Sequence, residues 1–271
     1  GPDTIGSIPE ALDLYRNRDP EAGPDATRSL RFREDFSPVA TSQIDKDTRV
    51  HSEGVTLYRT AYLGVWDTVG ALGVPADFTG LAKVFNGKYK FHDTDLSSSV
   101  AMARHAVAID ERRKTFPPTL WNNLYALNIT NPPEPGKAPR YQQLWFPGTH
   151  GSVGGGGDRQ GLSDATLYWV GLGAREAGLQ LATGFDDLVN AINPGDPLNN
   201  SSKKPTEFWK LLARFSTDRL GPQDPAMVSK LTRRRFHMTG LPENGGIYNP
   251  KTLSSVRPVL RAEQPATDLD V

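Results

Sequence analysis

The sequence predicts an α/β fold built on a largely parallel sheet, and three observations carry that reading. Ala61 to Trp66 is apolar throughout and stops at Asp67, as expected of a parallel strand buried on both faces. Leu144 to Phe146 is a second short apolar run, ended by Pro147-Gly148 and followed at once by Thr149, His150 and glycines at 151 and 154–157. A strongly apolar helical stretch begins at Leu162 or Ser163 and runs to about Leu179. The second run therefore opens a strand–loop–helix unit whose helix packs back on the sheet.

The remaining elements follow in chain order. Ser7 and Glu10 fit a capping box, and Ile8, Ala11, Leu12 and Tyr15 then fall on one helical face. That helix stops near Arg18, before Asp19-Pro20, and a polar loop fills 17–28. A short helix with Leu30, Phe32 and Phe36 is expected over 29–37, ended by Pro38, and 40–56 reads as irregular. Residues 74–93 form a loop with a short helix around Leu81 to Phe85. Asp95 to Arg113 is expected to be a helix, capped by Asp95 or Ser97, with Val100, Ala103, Val107 and Ala108 on its apolar side and Glu111-Arg112-Arg113 at its charged end. His105 lies near that apolar side, where a satisfied, half-buried histidine is the simpler account.

Residues 121–130 carry no clear pattern, and Pro132 to Gly136 is a loop. Past the long helix, with Asp164 in its first turn where a negative charge suits the dipole, Phe185 to Ile192 reads as a short helix stopped by Asn193-Pro194-Gly195. A polar linker spans 196–204. Pro205 opens a helix over Thr206 to Phe215 with Phe208, Leu211 and Leu212 on one face. Arg233-Arg234-Arg235 reads as a solvated face, Tyr248-Asn249-Pro250 as a turn, and the last ten residues as disordered. Two parts are expected: 1–195 around the sheet, and 196–271 as a helical and irregular extension.

Composition narrows the function. Thirty-one basic and 31 acidic residues give a formal net charge of zero, which argues against an electrostatic grip on nucleic acid. There is no cysteine, hence no disulfide, thiolate ligand or thiol nucleophile. No apolar run approaches the roughly 18 residues of a membrane span, and no secretory signal opens the sequence.

Asp67 and His150 each follow a predicted strand. Parallel strands would bring them to one edge of the sheet, where α/β folds keep their chemistry. An aspartate holding a histidine that activates a hydroxyl is the layout of a serine hydrolase. The alternatives are plain: Asp67 capping its turn, and His150 on a surface turn. The nucleophile would sit in a Gly-x-Ser-x-Gly elbow, and none is present: Gly6-Ser7 lacks the second glycine, and His150 stands two residues before Ser152. Phosphate binding by Gly154 to Gly157 lacks the Lys-Ser/Thr of a P-loop. A metal site from Asp67, His150 and Asp164 has no supporting ligand spacing, so no cofactor or metal is expected.

Three segments carry a resemblance: Gly64-Val65-Trp66-Asp67-Thr68-Val69-Gly70-Ala71-Leu72-Gly73, Arg104-His105-Ala106-Val107-Ala108-Ile109-Asp110-Glu111-Arg112-Arg113, and Trp145-Phe146-Pro147-Gly148-Thr149-His150 with its glycines. Over about residues 5 to 180 the chain resembles the α/β-hydrolase family DUF2235, which includes the catalytic domains of Tle1-type phospholipase effectors of bacterial type VI secretion. The resemblance implies an α/β-hydrolase-like three-layer fold with a largely parallel sheet, hydrolysis of esters or lipids, and a Ser-Asp-His triad. By position it makes His150 the triad histidine and Asp67 the acid, with Gly151, Ser152, Gly154 and Gly155 as a substrate or oxyanion loop.

Two departures stand out. The family's N-terminal part, which carries the elbow, has no counterpart here, so the nucleophile is expected from an upstream segment or a partner chain, and this chain alone is expected to be inactive. Where the family often reads His-Ser-Asp-Val-Gly-Gly-Gly, this chain has His150-Gly151-Ser152-Val153-Gly154-Gly155-Gly156. The expected substrate is a carboxylic ester, a phospholipid or another lipid. The expected location is the cytoplasm, or delivery by a secretion system without a cleaved signal peptide. A non-catalytic binding or scaffold module that retains the fold is the alternative.

Overall fold

The computed structural model describes residues 8–17, 19, 22, 26–36, 60–69, 95–97, 99–114, 116–202 and 216–264. The chain divides into two compact units. The smaller comprises residues 1–63, 90–103 and 120–141, and the larger 64–89, 104–119 and 142–271. The expected Ser7 cap, irregular stretch over 40–56, loop and short helix within 74–93 and helix over 206–215, together with residues 265–271, lie outside the described residues.

Three strands, β1 (Leu63–Trp66), β2 (Ala103–Ala108) and β3 (Tyr141–Phe146), form a sheet in the order β1-β2-β3. All neighbours run parallel. Leu63 N donates to Met102 O at 3.0 Å and Asp67 N to Ala106 O at 2.7 Å on one side. On the other, Ala103 N donates to Arg140 O at 3.0 Å and Ile109 N to Phe146 O at 2.9 Å. The architecture is α/β, as the apolar runs predict.

The strands depart from expectation in two ways: the sequence predicts β1 to be buried on both faces and β2 to be helical. β1 is half-buried at every residue, whereas β2 is buried at all six. β2 falls inside the stretch whose spacing predicts a helix. Small apolar residues at 100, 103, 107 and 108 satisfy a helical period by coincidence, and a short buried run cannot be assigned by period alone. Its two polar side chains are paired. Arg104 donates to Trp169 O at 2.5 Å and to Glu176 Oε2 at 2.8 Å. His105 is fully buried rather than half-buried.

In the smaller unit, α1 (Ile8–Arg16), α2 (Thr27–Phe36) and α3 (Leu124–Thr130) are the helices of the described residues. α1 exposes Ile8, Leu12 and Tyr15 and buries Leu14, so the apolar face read from the sequence is not the buried one. Leu96, Val100, Ala103, Leu124, Leu127 and Tyr141 form the core, with Leu63 and Trp121 packed on it. Two asparagines replace backbone partners at its rim. Asn123 accepts from Leu96 N at 3.1 Å and donates to Leu96 O at 2.8 Å; Asn128 does the same for Tyr141, at 3.1 and 2.9 Å.

In the larger unit, β3 leads into α4 (His150–Gly154) and then α5 (Gly161–Glu176). α5 packs back as expected: the Trp169 and Phe146 rings lie 5.3 Å apart. The 185–192 stretch forms a 3-10 helix over Asp186–Ala191. Further on, α6 (Lys230–His237) is capped by Ser229, whose hydroxyl accepts from Thr232 N at 3.1 Å, and α7 (Arg257–Ala262) is the last helix of the described residues. The 233–235 run is not a solvated face. Arg235 is fully buried, bonded to the carbonyls of Pro194 and Asp196 and to Glu243. A buried guanidinium needs such partners, and loop carbonyls supply them.

Candidate active site

All residues of the site belong to the larger unit. Asp67 caps β1 with a backbone φ of 42°, in the left-handed region that aspartate enters more readily than most residues. It is fully buried. Its Oδ1 accepts from the amide of Ala108, the last residue of β2, at 2.9 Å.

His150 is placed by the end of β3. Gly148, at φ 113°, carries the turn, and a Cβ there would stand 2.6 Å from Ser152 Cβ. Asp110 grips this turn twice: its amide donates to Gly148 O at 3.0 Å, and its Oδ2 accepts from Gly148 N at 2.7 Å. The His150 amide donates to Glu111 Oε2 at 3.2 Å, which uses one of the free N–H groups at the start of α4.

The two predicted residues meet. His150 Nδ1 lies 2.7 Å from Asp67 Oδ2. Burial pushes the Asp67 carboxyl up, but bonds from His150 and Arg219, the Arg219 charge and the Ala108 amide outweigh it, so its pKa falls below the ordinary 3.8. An ionised carboxylate only accepts, so Nδ1 carries the proton and Nε2 the lone pair, an assignment made from the hydrogen-bond network. The His150 side chain is 33% exposed, which leaves Nε2 within reach of a reacting group. The Phe116 ring meets the imidazole edge-on, with centroids 5.1 Å apart. Among the described residues no serine or threonine hydroxyl is bonded to His150.

The glycine loop is strapped down by the 198–202 segment. Asn200 Nδ2 donates to Gly151 O at 2.9 Å and to Gly155 O at 3.3 Å. Ser152 Oγ donates to Leu198 O at 2.6 Å and lies 3.2 Å from Thr149 Oγ1, so its hydroxyl proton is committed to the 198–202 segment. Thr149 N and Arg159 N close onto Leu198 O and Asn200 O, both at 3.0 Å. Gly154 and Gly155 have open space where a Cβ would be.

Other titratable groups sort by environment. His105 Nε2 accepts from Thr68 N at 3.2 Å and Nδ1 meets Gln143 Oε1 at 3.0 Å. Burial above all lowers its pKa to about 4, so it is a neutral histidine that ties β2 to the turn after Asp67. Asp164 is not part of this cluster; burial and Asp196 raise its pKa. No group of three His, Cys, Asp or Glu residues among the described residues is placed to hold a metal ion.

Sequence reasoning missed Arg219, Glu111 and Phe116. Arg219 donates through Nη1 to Asp67 Oδ1 at 2.6 Å and through Nη2 to Asp67 Oδ2 at 3.0 Å. Glu111 read as a charged helix end, yet it is 3% exposed and pairs with Arg113 at 2.7 Å.

A parallel sheet covered by helices, with strand ends that bring an aspartate to a histidine, defines an α/β fold of the hydrolase kind. The family model described as T6SS, Phospholipase effector Tle1-like, catalytic domain matches residues 2–171. The chain belongs to that family of lipid-hydrolase effectors, whose members are delivered by type VI secretion. No curated protein and no solved structure matches the chain. No helix of the described residues is long and apolar enough to cross a membrane.

Proposed function

We propose that this chain supplies the acid and the base of a serine hydrolase acting on the carboxylic esters of phospholipids or other lipids. Asp67 is the acid and His150 the base. The nucleophilic serine comes from a segment or chain outside these 271 residues. One observation carries the reading: the 2.7 Å contact between His150 Nδ1 and the buried Asp67 carboxylate, which turns the lone pair of Nε2 toward the exposed side of the ring.

In this mechanism Nε2 takes the serine proton as the hydroxyl oxygen bonds to the ester carbonyl carbon. The imidazolium so formed is stabilised by Asp67. Collapse of the tetrahedral intermediate breaks the bond to the alcohol, which leaves with the proton from Nε2. Water then repeats the cycle and frees the carboxylic acid. The loop of Gly151, Ser152, Gly154 and Gly155 is the part offered to the substrate: Gly154 and Gly155 leave open space for it, while the Gly155 amide is already given to Gly151 O at 2.7 Å. The family supports a lipid as substrate and export through a type VI system as the route of delivery.

The test is reconstitution. The chain alone should lack esterase activity and should gain it with the segment that carries the serine. His150→Ala should then remove roughly three to six powers of ten of the rate. Activity that survives this substitution overturns the proposal, and a native gene with no upstream elbow and no partner that supplies one favours a binding module that keeps the fold.

A further inference from the structure

The Asp67 carboxylate has more partners than a triad acid needs. His150 uses one direction and Ala108 N another, yet a guanidinium from far along the chain closes on both oxygens. Arg219 Nη1 and Nη2 reach Asp67 at 2.6 and 3.0 Å, and the same two nitrogens donate to Ala108 O and Phe116 O, each at 2.7 Å. The side chain is 5% exposed. Its four bonds therefore sit out of water, where a forked guanidinium–carboxylate pair is both strong and directional.

The backbone that presents Arg219 is itself pinned. Ser216 forms an antiparallel bridge with Arg113, and Thr217 N donates to Arg112 O at 2.8 Å. Asp218 pairs with Arg112 at 3.1 Å. Gly221 then passes so close to Thr252 that a Cβ would enter its carbonyl oxygen. Arg219 lies beyond residues 2–171, the span matched by the family.

We propose that Arg219 is the positioning residue of the Asp67–His150 pair: it locks the carboxylate toward the imidazole and, as a fixed cation, weakens the pull of Asp67 on a proton at His150. This rests on the hydrolase reading given above. Arg219 touches no reacting atom and acts through Asp67. Arg219 holds the Phe116 backbone carbonyl, and the Phe116 ring meets His150, which ties one wall of the site to the same clamp. The other charges near the pair do not do this work. Glu111 faces the His150 amide and is held by Arg113, Asp110 accepts from Gly148 N and the Tyr248 hydroxyl, and His105 is neutral.

The test is the titration of the His150 ring, followed by NMR in the 271-residue chain. Arg219→Gln, which removes the charge and keeps donors, should raise the midpoint by about one pH unit. A merely structural role would leave it unmoved, and an unmoved midpoint overturns the proposal. In the unaltered chain the Arg219 guanidinium should give separate, slowly exchanging Nη protons; a single averaged signal overturns it without recourse to a variant. With the serine-bearing segment added, the acid limb of kcat/KM should follow the ring to higher pH in Arg219→Gln. If His150→Ala abolishes activity while Arg219→Gln moves neither midpoint nor limb, only the positioning role falls. If His150→Ala keeps activity while Arg219→Gln still moves the midpoint, the catalytic reading falls and the coupling stands.

Discussion

Two aspartates near His150 are pushed in opposite directions by their surroundings. Asp67 has a lowered pKa because His150, Arg219 and Ala108 outweigh burial. Asp110 keeps some surface exposure as a residue, but its carboxyl is closely enclosed, and burial raises its pKa to about 6 despite bonds from Gly148 N and the Tyr248 hydroxyl. The signs follow from linkage. Asp67 adds stability that is complete above its unfolded value of 3.8 and is lost as pH falls through its lower folded value. Asp110 does the reverse: between 3.8 and about 6 the folded protein holds more protons than the unfolded one, so this group costs stability as pH rises across that window. Asp110→Asn should abolish that downward component, which chemical denaturation at a series of pH values would measure. Asp67→Asn should leave a buried guanidinium without its counter-charge and cost about 3–5 kcal/mol, readable from the same experiments.

Elements act here through their ends. β1 and β3 each stop at a residue with unusual backbone, Asp67 at φ 42° and Gly148 at φ 113°, and those stops aim the two side chains at each other. Gly148→Ala would combine a disfavoured φ with a 2.6 Å approach to Ser152. Gly221→Ala would force the 216–221 segment away from Thr252. Both substitutions should lower stability by about 1–3 kcal/mol or more. Gly221→Ala should also loosen the Arg219 clamp, visible as faster exchange of its Nη protons.

These end effects explain what could be read beforehand. The apolar runs before Asp67 and His150 are legible because each is short, continuous and followed by a breaker. α5 is legible because its period is long. β2 is not: six residues containing an arginine and a histidine read as strand only once Trp169, Glu176, Thr68 and Gln143 are known to take their polar atoms. The buried face of α1 was misassigned because a helical stripe identifies candidate faces, and packing chooses between them.

At the scale of the whole molecule, the site draws on residues far apart in sequence. Arg219 and Asp67 are 152 positions apart, and nothing local in the 216–221 segment marks it for this role. Arg235 is similar: a basic run offers no hint that carbonyls at 194 and 196 wait for one of its members. Long-range polar contacts of this kind are invisible to periodicity, which sees only one element at a time. The family match ends at residue 171, yet the described fold beyond it supplies Arg219 and the strap over the glycine loop.

That strap has a kinetic consequence. Because Leu198 and Asn200 hold Thr149, Gly151, Ser152, Gly155 and Arg159 at once, the loop should open as a unit rather than one bond at a time. The Thr149 and Arg159 amides should therefore trade hydrogen for deuterium with a common opening free energy. Asn200→Ala should hasten both together.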